Sequence, residues 1–249
     1  MAKAELSSRS NSQISEKDHS SRTNSQSLKI EKLSENTTEY ERSIKVILLG
    51  DSNVGKSSII DRLKNNTFNV NQRSTITLEH HNIVIKINNY TLRMQFWDTA
   101  GQEKFDSIVA SYYKSAEVII LVYATNLRNS FERIPEWDKK VIEHGSEEEP
   151  IKILIGNKKD LEQERKVTFE EGENLAKQLG CIKFLEISCK NKENEENNQN
   201  IESIINIVGK KYYDIFGIKS DRLNSSVYNY VATDSILIAD SRSRKRCGC

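Results

Sequence analysis

The 249-residue sequence predicts an α/β protein: a mostly parallel six-stranded sheet with helices on both faces. Three observations lead there. Short apolar, β-branched runs alternate with stretches of helical periodicity, the pattern of strands joined by crossover helices. The apolar run Ile44–Leu49 leads straight into Gly50-Asp51-Ser52-Asn53-Val54-Gly55-Lys56-Ser57, and that into the helical stretch Ser58–Leu63. The remaining polar motifs each follow the end of an apolar run, and ligands on such sheets bind at the carboxyl ends of strands.

The glycine-containing stretch is G-x-x-x-x-G-K-S between a strand and a helix, the context a phosphate-binding P-loop requires. Polyphosphates are held there by successive backbone N–H groups and by the positive end of the helix dipole. Gly50 and Gly55 allow close approaches that a Cβ would block. Lys56 supplies a point charge to the outer phosphates, and the hydroxyl of Ser57 is placed for Mg²⁺.

The elements follow in order. Residues 1–42 are rich in Ser, Asn, Lys and Glu, with no aromatic before Tyr40 and no Pro or Gly, so a disordered extension is expected. A folded domain over 43–217 follows. Asn65–Thr77 is polar and without periodicity, a long loop of the kind that carries function. Asn82–Ile87 and Tyr90–Trp97 read as strands of a hairpin turning at Asn88-Asn89, with Leu92, Met94 and Phe96 on one face. Asp98-Thr99-Ala100-Gly101-Gln102-Glu103 comes next, an Asp at a strand end placed to meet a metal and a Gly placed to offer its N–H to a terminal phosphate. Val118–Tyr123 reads as a strand buried on both faces. A helix is expected over Ser130–Glu143, with Pro135 near its start, then a strand over Ile151–Ile155 ending in Gly156-Asn157-Lys158-Lys159-Asp160. A helix over Phe169–Leu179 closed by Gly180, a strand over Lys183–Ile187 ending in Ser188-Cys189-Lys190, a polar loop over Asn191–Asn200 and a helix over Ile201–Phe216 complete the domain. Residues 218–249 read as a flexible tail.

Composition narrows the function classes. A formal net charge of +1 gives no global field for nucleic acid. The cysteines, Cys181, Cys189, Cys247 and Cys249, form neither a disulfide framework nor metal-ligand spacing. No apolar run approaches the roughly 18 residues of a membrane-spanning helix, and the start lacks a signal-peptide core, so a reducing, cytoplasmic protein is expected.

With these residues in view, the chain resembles the Ras superfamily of small GTPases, and within it the Rab branch, over about residues 44–216. The resemblance implies a P-loop NTPase fold of the small G domain type. It implies phosphate contacts from Ser52, Asn53, Val54, Gly55, Lys56, Ser57, Ser58, Thr75 and Gly101. It places guanine between Phe68 and Lys158, read by Asn157 and Asp160 and by the Ser188-Cys189-Lys190 loop, with Cys189 where the family carries Ala. An Asp carboxylate accepts from both N1–H and the exocyclic amine of guanine, which adenine cannot match. Ser57, Thr75 and Asp98 would serve Mg²⁺, and Gln102 would orient the attacking water. Ile76, His80, Trp97 and Tyr112 would face effectors, His80 replacing an aromatic common in the branch. An exchange factor, a GTPase-activating protein and a GDP-dissociation inhibitor are implied as further partners.

The end Cys247-Gly248-Cys249 resembles the doubly prenylated Rab tail, and Arg242, Arg244, Lys245 and Arg246 precede it. Geranylgeranylation of Cys247 and Cys249 and attachment to a cytoplasmic membrane face are therefore expected, since two chains anchor where one is marginal. The leading reading is a membrane-anchored switch in vesicle traffic. An ATP-driven enzyme using the same loop, and a nucleotide-bound docking module with little turnover, are its alternatives.

Overall fold

The computed structural model describes residues 28–71, 79–99, 113–145 and 148–217. The strands are β1 (Ile30–Leu33), β2 (Arg42–Leu49), β3 (Glu79–Ile87), β4 (Tyr90–Asp98), β5 (Val118–Ala124), β6 (Ile151–Asn157) and β7 (Lys183–Glu186), with β-branched and aromatic residues prominent in β2 to β6. They make one sheet in the order β1-β3-β4-β2-β5-β6-β7. β4, β2, β5, β6 and β7 pair in parallel, while β3 runs against both β4 and β1. The hairpin turns at Asn88, whose φ of 52° is one an asparagine tolerates.

Alternation along each strand divides the core in two. Ile44, Val46 and Leu48 of β2, with Leu92, Met94 and Phe96 of β4, pack under α1 (Lys56–Asn65) and α5 (Glu195–Tyr212). Ile47 and Leu49 point the other way, under α2 (Arg128–Glu132), α3 (Ile134–His144) and α4 (Phe169–Gln178). β5 is buried along its whole length, as a strand covered on both faces must be. α4 begins at Thr168 with a reciprocal capping box to Glu171, and Gly180 follows its end at a φ of 69°. No described helix is long and apolar enough to cross a membrane.

Three elements differ from expectation. The sheet has seven strands rather than six, because Ile30–Leu33 pairs with Val84–Ile87 inside the stretch read as disordered. Leu28 and Ile30 pack against the core, and Lys32 Nζ donates to the Leu63 carbonyl at 2.8 Å. Composition averaged over a polar stretch conceals a four-residue strand whose affinity is mostly backbone pairing along an open edge. The helix expected over Ser130–Glu143 is two, parted at Arg133. Pro135 has no N–H to return to the preceding turn, so the first helix stops and Pro135 sits in the opening turn of the second. Finally, the polar run Asn191–Asn200 is not all loop: α5 starts at Glu195, capped by the Asn194 side chain, with Glu195 and Glu196 facing the positive end of the dipole. It ends at Tyr212, and Tyr213–Gly217 continues it as a wider π-type turn.

Candidate functional site

β2, β4, β6 and β7 all end on one side of the sheet, and their C-terminal residues converge there. The loop after β2 is shaped by two glycines. At Gly50, with φ 146°, a Cβ would lie 2.0 Å from the Val122 carbonyl oxygen of β5. Gly55, the residue before α1, has φ 97°, and a Cβ there would lie 2.3 Å from Asn157 Nδ2. The neighbouring Asn53 also takes positive φ, at 62°. Lys56 folds back over the loop and donates to the carbonyls of Gly50 and Asp51, each at 2.9 Å. It is 5% exposed, and burial pulls its ammonium down to about 8 against the opposing charges of Asp98 and Asp51. A cation held this way is set to gain from an arriving anion.

Ser57 opens α1, and its hydroxyl donates to Oδ2 of Asp98 at the end of β4. A hydroxyl beside a carboxylate is a pair of hard oxygen donors, the chemistry Mg²⁺ selects, so these residues fit that ion. Thr99 lines the same space and donates to the Leu48 carbonyl at 2.7 Å.

The far end of the site comes from β6 and β7. Asn157 Nδ2 donates to the Val54 carbonyl at 2.8 Å, which ties this end to the phosphate loop. Lys158 takes the left-handed conformation at φ 64°, unusual for a long side chain, and its carbonyl accepts from Thr125 Oγ1 at 3.1 Å. Burial lowers the Lys158 ammonium below its ordinary value, opposed by Asp160 and Glu164. Ser188 Oγ donates to Asp160 Oδ1 at 2.5 Å, and Cys189 is buried beside them.

Both ends open into one cavity of about 340 Å³. Ser52, Asn53, Gly55, Lys56, Ser57 and Ser58 line one end. Phe68, Asn157, Lys158, Asp160, Cys189 and Lys190 line the other. The β2–α1 loop and the ends of β6 and β7 therefore share one space, with Phe68 and Cys189 among its lining.

The Ras family profile matches residues 45–210 of the chain. The GTP-binding protein ypt2 of Schizosaccharomyces pombe is 41% identical over 158 residues, 64% of this chain and 78% of its own. Ras-related protein Rab-11B of Dictyostelium discoideum is 38% identical over 188 residues, 76% of this chain and 82% of its own. Ras-related protein SEC4 of Saccharomyces cerevisiae is 42% identical over 159 residues, 64% and 73% of the two chains. The chain belongs to the Ras family, in its Rab branch.

In this small GTPase the described residues that the sequence singled out for phosphate and guanine line that cavity, except Val54 and Ser188, and Asp98 reaches it through Ser57. Val54 is fully buried and its carbonyl accepts from Asn157, and Ser188 is 3% exposed and its hydroxyl donates to Asp160. His80 and Trp97 are opposite one another on β3 and β4 and stack at 5.3 Å, with Lys45 Nζ 5.0 Å from the indole centre. Thr75, Ile76, Gly101, Gln102, Tyr112, Cys247 and Cys249 lie outside the described residues.

Sequence reasoning missed two supports of this GTPase's site. Trp137 Nε1 donates to Asp51 Oδ1 at 3.0 Å, and Arg133 pairs with the same oxygen at 3.2 Å, so the start of α3 holds the phosphate loop from outside. Trp137 was legible only as an apolar helix residue. The other is Asn197, hidden in a run of Asn and Glu where no position stands out.

Proposed function

We propose that this Rab-branch GTPase binds GTP and GDP with Mg²⁺, hydrolyses GTP slowly, and acts as a membrane-anchored switch in vesicle-mediated transport. The observation that carries the reading is the single cavity into which the Lys56–Ser57 and the Asn157–Asp160 motifs both open. Asp160 accepts from the guanine N1–H and amine, the Cys189 N–H faces the guanine oxygen, and Phe68 and the Lys158 stem bracket the ring. Lys56 meets the outer phosphates. Ser57, Thr75 and Asp98 are the residues that would hold Mg²⁺, which supplies neutralising charge to the phosphate oxygens. Gln102 orients the attacking water, and the Gly101 N–H meets the terminal phosphate.

Positioning of this kind leaves unaided turnover slow, and an arginine from a GTPase-activating protein adds ~10³–10⁵-fold. Loss of the third phosphate frees Thr75 and Gly101, and the surface around Ile76, His80, Trp97 and Tyr112 changes for effectors. Prenyl groups on Cys247 and Cys249, with the basic residues before them, attach the chain to a cytoplasmic membrane face, from which a GDP-dissociation inhibitor withdraws it. Single-turnover hydrolysis of loaded GTP tests the switch: Gln102→Leu is expected to slow it about tenfold or more. An unchanged rate would favour a docking module that holds nucleotide without turnover.

A further inference from the structure

The loop from Ser188 to Lys190 is held by a side chain that none of the nucleotide motifs contains. Asn197 stands in the opening turn of α5 and is 7% exposed. Its Oδ1 accepts from the Ser188 N–H at 2.6 Å. Its Nδ2 donates to the Ser188 carbonyl at 2.8 Å and to the Asn191 carbonyl at 2.9 Å. One amide thus satisfies both backbone groups of Ser188, as a neighbouring strand would. Ser188 is itself 3% exposed, so water is a poor replacement for these bonds.

The restraint passes forward to the base-reading group. Ser188 Oγ accepts from the Asn191 N–H at 3.1 Å and donates to Asp160 Oδ1 at 2.5 Å. Asn197 is braced from behind: its own N–H is capped by the Asn194 side chain at 2.8 Å. Next to it, Asn198 Oδ1 accepts from Arg62 of α1, and Asn198 Nδ2 donates to the Lys192 carbonyl at 2.7 Å. Arg62 is 3% exposed and also donates to Asn66 Oδ1, so the start of α5 is anchored to the helix that leaves the phosphate loop.

We infer that Asn197 is a positioning residue for base selection: it sets the backbone of Ser188 so that the Asp160 carboxylate and the Cys189 N–H meet one edge of the purine together. The inference rests on the guanine reading of the cavity. It assigns to the start of α5 a share in nucleotide retention and selectivity. An aspartate of the same shape would keep the acceptor for the Ser188 N–H but would turn a carboxylate oxygen on two carbonyls.

Release of GDP and of inosine diphosphate from the full chain, each displaced by excess GDP, tests it. Inosine diphosphate lacks only the exocyclic amine that Asp160 accepts, so the ratio of the two rates reads how well that carboxylate is aimed. The wild type is expected to release inosine diphosphate faster than GDP. Asn197→Ala is expected to speed GDP release about tenfold and to narrow the ratio, because a slack carboxylate reads the amine less well. Asn197→Asp is expected to be at least as fast as Asn197→Ala, and it serves if the alanine variant does not fold. Glu202→Ala, at an exposed position of the same helix, is the control and is expected to match the wild type. GDP release within twofold of the wild type in both Asn197 variants would overturn the inference. So would equal acceleration of both nucleotides, which marks general loosening. A wild type that releases the two at one rate would overturn the guanine reading itself, and this inference with it.

Discussion

Gly55 carries two constraints at once, a φ of 97° and a Cβ position 2.3 Å from the Asn157 amide. Gly55→Ala therefore strains the backbone and pushes against the residue that joins the two ends of the site. A loss of about 1–3 kcal/mol in urea unfolding is expected, together with weakened nucleotide retention. Wild-type stability in that variant would contradict the geometry. Cys189 gives a second residue-scale expectation. Burial pushes its thiol up to about 12, so at pH 8 the folded chain holds it as an inert neutral thiol. The sign follows from linkage: the folded value lies above the ordinary 9.0, so this group costs the fold nothing below pH 9 and erodes stability as pH rises from 9 toward 12. Iodoacetamide labelling at pH 8, read by peptide mass mapping, is expected to spare Cys189 in the native chain and to modify it in urea. Rapid native labelling would show an accessible thiolate instead.

The elements show which physics is written locally. β5 and β6 were legible because both are short runs dominated by apolar, mostly β-branched residues, and the phosphate loop because its glycines and lysine are unusual at that spacing. β1 was not legible, since Ile30-Glu31-Lys32-Leu33 forms a strand only where the β3 edge presents itself, a partner more than fifty residues away in sequence. The break at Arg133 and the early start of α5 depend on single residues, Pro135 and Asn194, whose effect is decided by the turns around them. The site was legible in its motifs but not in their supports, because Asp51 finds Trp137 only after the sheet has brought them together, and Ser188 finds Asn197 only once α5 starts at Glu195 inside the polar run. A prediction belongs to β1. Its register covers Val84–Ile87, the end of β3 away from the Asp98 pairing, so deletion of residues 1–34 is expected to lower the urea midpoint, by about 1–2 kcal/mol in stability, and to leave GDP affinity unchanged. An unchanged midpoint would mean that β1 adds no stability.

At the scale of the whole molecule, the parallel order of the sheet gathers motifs separated by more than a hundred residues at one rim. Asn157 Nδ2 on the Val54 carbonyl joins the phosphate end to the base end directly. Arg62 joins α1 to the start of α5. A ligand with a guanine at one end and charged phosphates at the other would bridge the same elements and stabilise the fold in proportion to its affinity. The most direct measurement is competition on the purified full chain after tightly held nucleotide has been stripped in chelator. GTP is expected to displace a fluorescent GDP analogue at concentrations at least a thousandfold, to order of magnitude, below those ATP requires. Equal displacement by GTP and ATP would contradict the assignment of Asn157, Lys158 and Asp160 to guanine, and with it the switch.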